Sequence, residues 1–289
     1  MQTRRVRFVT AWCVVAAASF MAGMQPSRAA RVAVLSDAYV TETAADFNAK
    51  VPGHTFSPVD VGISVPSLAT LTANYDALLL FEDNTFVNAP EVGNVVAAFA
   101  NTGRPVVLGT FYEQDRSDGS PAFTPHGWGA LEAIDPNTSD GTGASYSPHS
   151  LDPASIVAHP LTAGVTTLTA ARFAGGNQAK AGTTVVANWS QRNARGNANP
   201  AIAYRVTGAA CVIHLSIAPH YPTLGIAGID FGGDFYRAWS NAFDFGLAAC
   251  QSGPTADPTT IPTLSSAALA MTALLLLACG GLAHRSKRR

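Results

Sequence analysis

Three short runs fix what this chain can fold into. RVAVLSD (31–37), YDALLLFEDN (75–84) and RPVVLGTF (104–111) stay apolar through their middles and turn polar at or beyond their ends. A strand with one wet face alternates apolar and polar residues, whereas an unbroken apolar strand is covered on both faces. Between the runs lie segments with helical spacing. TAADFNAK (43–50) is one, and APEVGNVVAAFANTG (89–103) is another, with Val92, Val95, Val96 and Phe99 in register and Gly103 to close it. HTFSPVDV (54–61) reads as a further strand. Buried strands alternating with helices imply a parallel sheet between two helical layers.

The pattern dissolves from 112 to 158, where Gly, Pro, Ser, Asp and Thr dominate; this stretch reads as a loop-rich insertion. Order resumes with HPLTAGVTTL (159–168). TTVVANW (183–189), PAIAYRV (200–206) and AACVIHLSI (209–217) follow as closely spaced strands without long helices between them, so this half is antiparallel or mixed. GGDFYRAWSNAFDFGLAAC (232–250) reads as a helix with Phe235, Trp239, Phe243 and Leu247 on one face. The folded domain is therefore expected to span 30–250, with a Pro/Thr linker over 251–260.

Charge separates the ends from the middle. Arg4, Arg5, Arg7 and Arg28 precede the domain, and Arg285, Lys287, Arg288 and Arg289 follow it. Between them ten basic residues face nineteen acidic ones, a net of −9. Such a domain repels nucleic acid and lacks the basic stripe that phosphate binding needs. The arginines at the start, the apolar stretch FVTAWCVVAAASFMAGM (8–24) and small residues at Ser27 and Ala29 form a secretory signal, residues 1–29, with cleavage between Ala29 and Ala30. Its partners are the secretion machinery and signal peptidase.

Of the four cysteines, Cys13 lies in the signal and Cys279 in the C-terminal apolar run. Cys211 begins a strand and Cys250 ends the helix that returns antiparallel to it, so both fall at one end of the pair. A Cys211–Cys250 disulfide is expected in an exported domain.

The order VAVLSD, YDALLLFED, GRPVVLGTF, HPLTAGV, GAACVIHLSIAPHY and FYRAWSNAFDFG resembles the class I glutamine amidotransferase-like fold, a flavodoxin-like α/β sandwich, here with a mixed sheet. Within that group it is most similar to ThuA-like (trehalose-utilisation-like) domains. The amidotransferases carry a cysteine nucleophile in a strand-to-helix turn. Here that turn reads LGTFYEQ (108–114) and holds no cysteine, so glutaminase activity is not expected. Cys211, inside an apolar strand, is no substitute, because burial there disfavours the thiolate.

If the sheet is parallel, residues just past its strands meet in one crevice. These are Asp37, Glu82, Asp83, Thr110, Glu113 and His220. Carboxylates beside a histidine can do acid–base work or bind a ligand. Thr110 has no activating neighbour in sequence. The histidines show no metal-ligand spacing; His214 reads as a core residue and His159 as a structural turn residue. DPNTSDGTG (135–143) has Asp135, Asn137 and Ser139 at alternate positions, yet its glycine is displaced and no glutamate closes a calcium loop, so it reads as a turn. No cofactor or metal is implied. Trp128, Trp189, Tyr221 and Tyr236 are available aromatics, of the kind that lines a sugar surface or fills a core.

Residues 264–282 form an uncharged span of bilayer length followed by a basic end, the pattern of a transmembrane helix. Ile261, Pro262, Thr263, Leu264 and Ser265 immediately before it, with that helix and basic end, resemble the IPTL-CTERM sorting signal (261–289) of Gram-negative bacteria. The resemblance implies an exosortase-type membrane transpeptidase as partner, an inner-membrane-anchored precursor, and release to the cell surface or exterior. The tryptophan frequent after such motifs is replaced by Ser266-Ala267-Ala268. The expected function is a surface-sorted protein whose domain binds a carbohydrate or another envelope component; the alternative is a hydrolase of glycans or envelope material using the acid/His crevice.

Overall fold

A computed structural model describes residues 29–83, 88–110, 127–139, 148–171, 177–224 and 230–250. The first half alternates as the apolar runs demand: β1 (Ala30–Ser36), α1 (Val40–Lys50), β2 (His54–Asp60), α2 (Leu68–Asn74), β3 (Ala77–Leu80), α3 (Ala89–Ala100) and β4 (Val106–Gly109). Beyond it come β5 (Asn137–Ser139), β6 (His149–Ser150), β7 (Leu168–Ala171), β8 (Asn177–Ala179), β9 (Thr184–Trp189), β10 (Asn199–Thr207), β11 (Ala210–Leu215), β12 (Asp230–Gly233) and α4 (Phe235–Cys250).

The main sheet has seven strands in the order β2-β1-β3-β4-β11-β10-β9. The first five run parallel, with β11 joining β4; β10 and β9 are antiparallel. The sheet is thus mixed, and its parallel part has the flavodoxin-like order. Both faces are covered. Val32, Val34, Leu79, Val107 and Ile213 pack with Phe47 of α1 and Trp239 and Phe243 of α4. Ala33, Leu35, Leu78, Leu80 and Val106 pack with Leu71 of α2 and Val92, Val96 and Phe99 of α3. This two-sided burial is why the strands carry no alternation.

Helix α2 is not evident in the sequence, because LATLTAN offers only one turn of apolar spacing. It is held by its ends instead. The Ser67 side chain accepts from the Thr70 N–H at 3.1 Å, and Arg104 donates to the Thr72 and Tyr75 carbonyls at 2.6 and 3.0 Å. These contacts satisfy helix-terminal groups that would otherwise lack partners.

The stretch expected as loop contains regular pieces. Residues Gly129–Ala133 form a 3-10 turn, β5 pairs with β8, and β6 pairs with β7, which also pairs with β12. Each short strand depends on a partner distant in sequence, so no local periodicity announces it. Gly232 and Gly233 end β12 rather than begin the helix, and Gly233 takes φ 69°. Asp234 then accepts from the Thr166 and Thr167 N–H groups at 2.8 and 3.1 Å. These bonds hold its carboxyl below the usual carboxylate range.

Helix α4 runs back along the sheet. A Cβ at Gly109, the end of β4, would lie 3.2 Å from the Trp239 ring, early in the helix. One at Gly246, late in the helix, would lie 2.6 Å from Pro105, just before β4. The helix therefore starts at the C-terminal edge of the parallel strands and ends at their N-terminal edge. Cys211, buried at the start of β11, is disulfide-bonded, and α4 ends at Cys250 on that same edge. Among the described residues no helix is long and apolar enough to cross a membrane. Residues 1–28 of the expected signal 1–29, the expected span 264–282 and the motif 261–265 lie outside the described residues.

Candidate functional site

The C-terminal ends of β1, β3, β4 and β11 share one edge of the sheet, and the polar residues that follow them gather there. Strand β1 delivers Ser36 and Asp37, β3 delivers Glu82 and Asp83, and β4 delivers Thr110. The turn after β11 delivers His220. The Asp83 N–H donates to Asp37 Oδ1 at 3.2 Å, tying the first two ends together. The Thr110 N–H donates to the Ile217 carbonyl at 3.2 Å, which fixes the segment leading to His220.

His220 is completely buried, and its Nε2 lies 3.1 Å from Asp83 Oδ1. An ionised carboxylate only accepts, so Nε2 carries the proton and donates. The imidazole is the middle layer of a stack. Phe81 covers one face at 5.1 Å between centroids and 16°, and Tyr39 covers the other at 5.3 Å and 6°. Tyr221 meets it edge-on at 5.7 Å. Tyr39 is 37% exposed, so its outer face meets solvent. It precedes α1 with φ 54°, and it is the one non-glycine residue with positive φ among the described residues. A tyrosine in this region is strained by roughly 1–2 kcal/mol. Strain of this kind gathers at functional sites.

Three buried polar atoms here have no hydrogen-bond partner: Asp37 Oδ2, Thr110 Oγ1 and His220 Nδ1. Asp37 Oδ1 is occupied, accepting also from Ser36 Oγ at 3.2 Å. Burial, with the Asp83 charge adding to it, pushes the Asp37 carboxyl above the usual carboxylate range. Gly62 packs against this residue, a Cβ there falling 3.1 Å from Asp37 Cβ, and its neighbour Ile63 is 86% exposed.

Of the residues anticipated for the crevice, Asp37, Asp83 and His220 form one connected chain. Glu82 is fully buried at the same strand end, and Thr110 sits at the end of β4. Glu113 lies outside the described residues. No group of three or more His, Cys, Asp or Glu among the described residues is placed to hold a metal ion. The other residues considered have structural places. His214 is buried with Nδ1 3.0 Å from Asn137 Nδ2. His159 closes a capping turn, its Nδ1 accepting from the Leu161 N–H at 3.2 Å. Asp135 is ion-paired with Lys180, and Asn137–Ser139 is strand β5. Trp128, Trp189 and Tyr221 are buried, while the Tyr236 hydroxyl donates to Asp46 at 2.9 Å. The aromatics that frame the crevice, Tyr39 and Phe81, carry no sequence signal beyond their nearness to Asp37 and Asp83.

No family model matches the chain, and no curated protein is similar to it. Solved structures are. Cytoplasmic protein STM3548 from Salmonella typhimurium matches with TM-score 0.52 at 11% identity, over 74% of this chain and 98% of that one. Cytoplasmic protein STM1381 from Salmonella typhimurium LT2 matches with TM-score 0.50 at 10% identity, over 74% and 98%. A Bacteroides uniformis protein designated ThuA-like matches at 0.48 and 11% identity, over 80% and 97%. The first two likenesses establish a shared fold. The described residues form an α/β domain of flavodoxin-like topology with a mixed sheet and polar residues gathered at its C-terminal strand ends.

Proposed function

We propose that this is an exported, surface-sorted protein whose ThuA-like domain binds a carbohydrate unit of the cell envelope in the strand-end crevice. The observation that carries the binding reading is the Tyr39–His220–Phe81 stack beside Asp37 and Asp83. It offers an apolar ring face next to hydrogen-bonding groups, which is what a sugar ring presents in complement. Export is supported by the signal pattern and by β1 opening at Ala30, the first residue after the expected cut. It is supported also by the disulfide at Cys211, a bond typical of oxidising compartments. Sorting rests on Ile261–Ser265 and the apolar span behind them, and its agent is an exosortase-type transpeptidase acting on a membrane-held precursor.

Two measurements test this. Mass spectrometry of the mature protein from its host is expected to show an N-terminus at Ala30 and loss of the segment beyond the 261–265 motif; bulk protein ending at Arg289 overturns the sorting reading. Isothermal titration with neutral and amino hexoses is expected to show saturable binding that Tyr39→Gly weakens at least tenfold.

A hydrolase acting on glycans is the second reading, favoured by the Asp83–His220 hydrogen bond. With Nε2–H held by Asp83, Nδ1 keeps its lone pair and can accept a proton from an attacking water. Hydrolysis of a chromogenic glycoside panel that falls at least a hundredfold in both Asp83→Asn and His220→Ala supports it; no turnover by the wild type removes it.

A further inference from the structure

The crevice is unsatisfied in a particular way. Asp37 Oδ2, Thr110 Oγ1 and His220 Nδ1 stand at the ends of β1 and β4 and just past β11, all buried and all without partners. Thr110 and His220 are completely buried. A buried polar group without a partner is destabilising by about 1–3 kcal/mol, more when charged. Other buried polar atoms also lack partners, but these three lie together at the C-terminal strand ends next to the partly exposed Tyr39, where an incoming ligand can complete them.

The chemistry of that completion can be read from the atoms. A carboxylate oxygen only accepts. The imidazole Nδ1, with the proton held on Nε2 toward Asp83, also accepts. Thr110 Oγ1 can do either. The missing partner is therefore rich in donors. Charge adds a second constraint. Among the described residues, no hydrogen bond or ion pair brings a cationic side chain to Asp37. An ammonium supplies donors and positive charge together, and it is the form such a group takes on a sugar. Ser36, Asp37 and Tyr39 are consecutive or nearly so in the chain, which sets the stacking platform beside the acceptor.

Resting on the carbohydrate reading above, we infer that the crevice selects a sugar bearing a free, protonated amine, seated on Asp37 Oδ2. Its hydroxyls reach Thr110 and His220 Nδ1, and its ring face lies on Tyr39. N-acetylation removes the charge that pairs with Asp37 Oδ2. The site therefore discriminates against the acetylated form as well as the neutral hexose.

The test uses the full-length protein and three probes, glucosamine, N-acetylglucosamine and glucose, titrated calorimetrically at neutral pH. Glucosamine is expected to bind at least tenfold more tightly than either of the others. In Asp37→Asn that preference is expected to fall to within about twofold. Equal affinity for all three, or preference for the acetylated sugar, overturns the amine inference and leaves the carbohydrate reading standing. Preference for glucosamine that survives in Asp37→Asn also overturns it, because the charge then acts elsewhere. No heat or shift with any probe at millimolar concentration overturns both.

Discussion

The phenol ring of Tyr39 lies on the imidazole of His220, 5.3 Å away and within 6° of parallel, and the backbone of Tyr39 is left-handed to place it there. Glycine adopts that backbone without strain. Tyr39→Gly therefore relieves strain while losing a ring contact. The melting temperature is expected to move by only a few degrees, and hexose affinity is expected to fall at least tenfold. Tyr39→Phe keeps both the stack and the binding. Hexose binding by Tyr39→Gly at wild-type strength excludes the platform role.

Asp37 gives a stability prediction of opposite character. Its carboxyl is raised above the usual range, first by burial, so folding favours the neutral acid. The stability this group contributes is full below the unfolded value, about 3.9, and is lost as pH rises through the folded one. Asp37→Asn removes the charge, so it is expected to melt a few degrees higher than wild type at pH 7. The two curves converge near pH 3.5. Melting temperatures across that range decide it; a variant less stable at pH 7 contradicts the sign.

His54 works the other way. Its ring packs among Phe56 and Phe243 with Nε2 3.3 Å from Asp244, and burial, opposed by that aspartate, lowers its pKa. His159 is lowered by burial too. A lowered histidine contributes stability above its unfolded value, about 6.5, that is lost as pH falls through the folded one. Wild type is expected to lose stability as pH falls below about 6.5. His54→Phe flattens that slope, in a thermal melt series, without eliminating the part that His159 supplies.

Gly93 in α3 has no room for a side chain. A Cβ there would stand 1.8 Å from the Trp128 carbonyl oxygen. The helix and the turn over 128–133 must separate to admit a methyl group. Gly93→Ala is expected to destabilise by about 3 kcal/mol, lowering the melting temperature by roughly 6–12 °C. An unchanged melt shows that the two segments are not packed this closely.

The parallel half of the sheet was legible because unbroken apolar runs have one economical explanation, burial on both faces. Once those strands were placed, their polar ends had to meet, which is how Asp37, Asp83 and His220 could be gathered from positions far apart in sequence. Tyr39 could not. Its left-handed backbone and its stack on His220 arise from tertiary packing, and a lone tyrosine between Ala38 and Val40 announces neither. The short sheets escaped for a related reason: β5 and β8 stabilise each other and neither shows a pattern alone. The aromatics that did attract notice, Trp128, Trp189 and Tyr221, proved to be buried.

The path of α4 has a consequence for presentation. The helix begins beside Gly109 at the crevice edge and ends near Pro105, at the opposite edge, where Ala30 also opens the first strand. Both ends of the domain therefore emerge on the side away from Tyr39 and Asp37. The edge that carries Tyr39 and Asp37 is thus clear of both points where the polypeptide enters and leaves the domain.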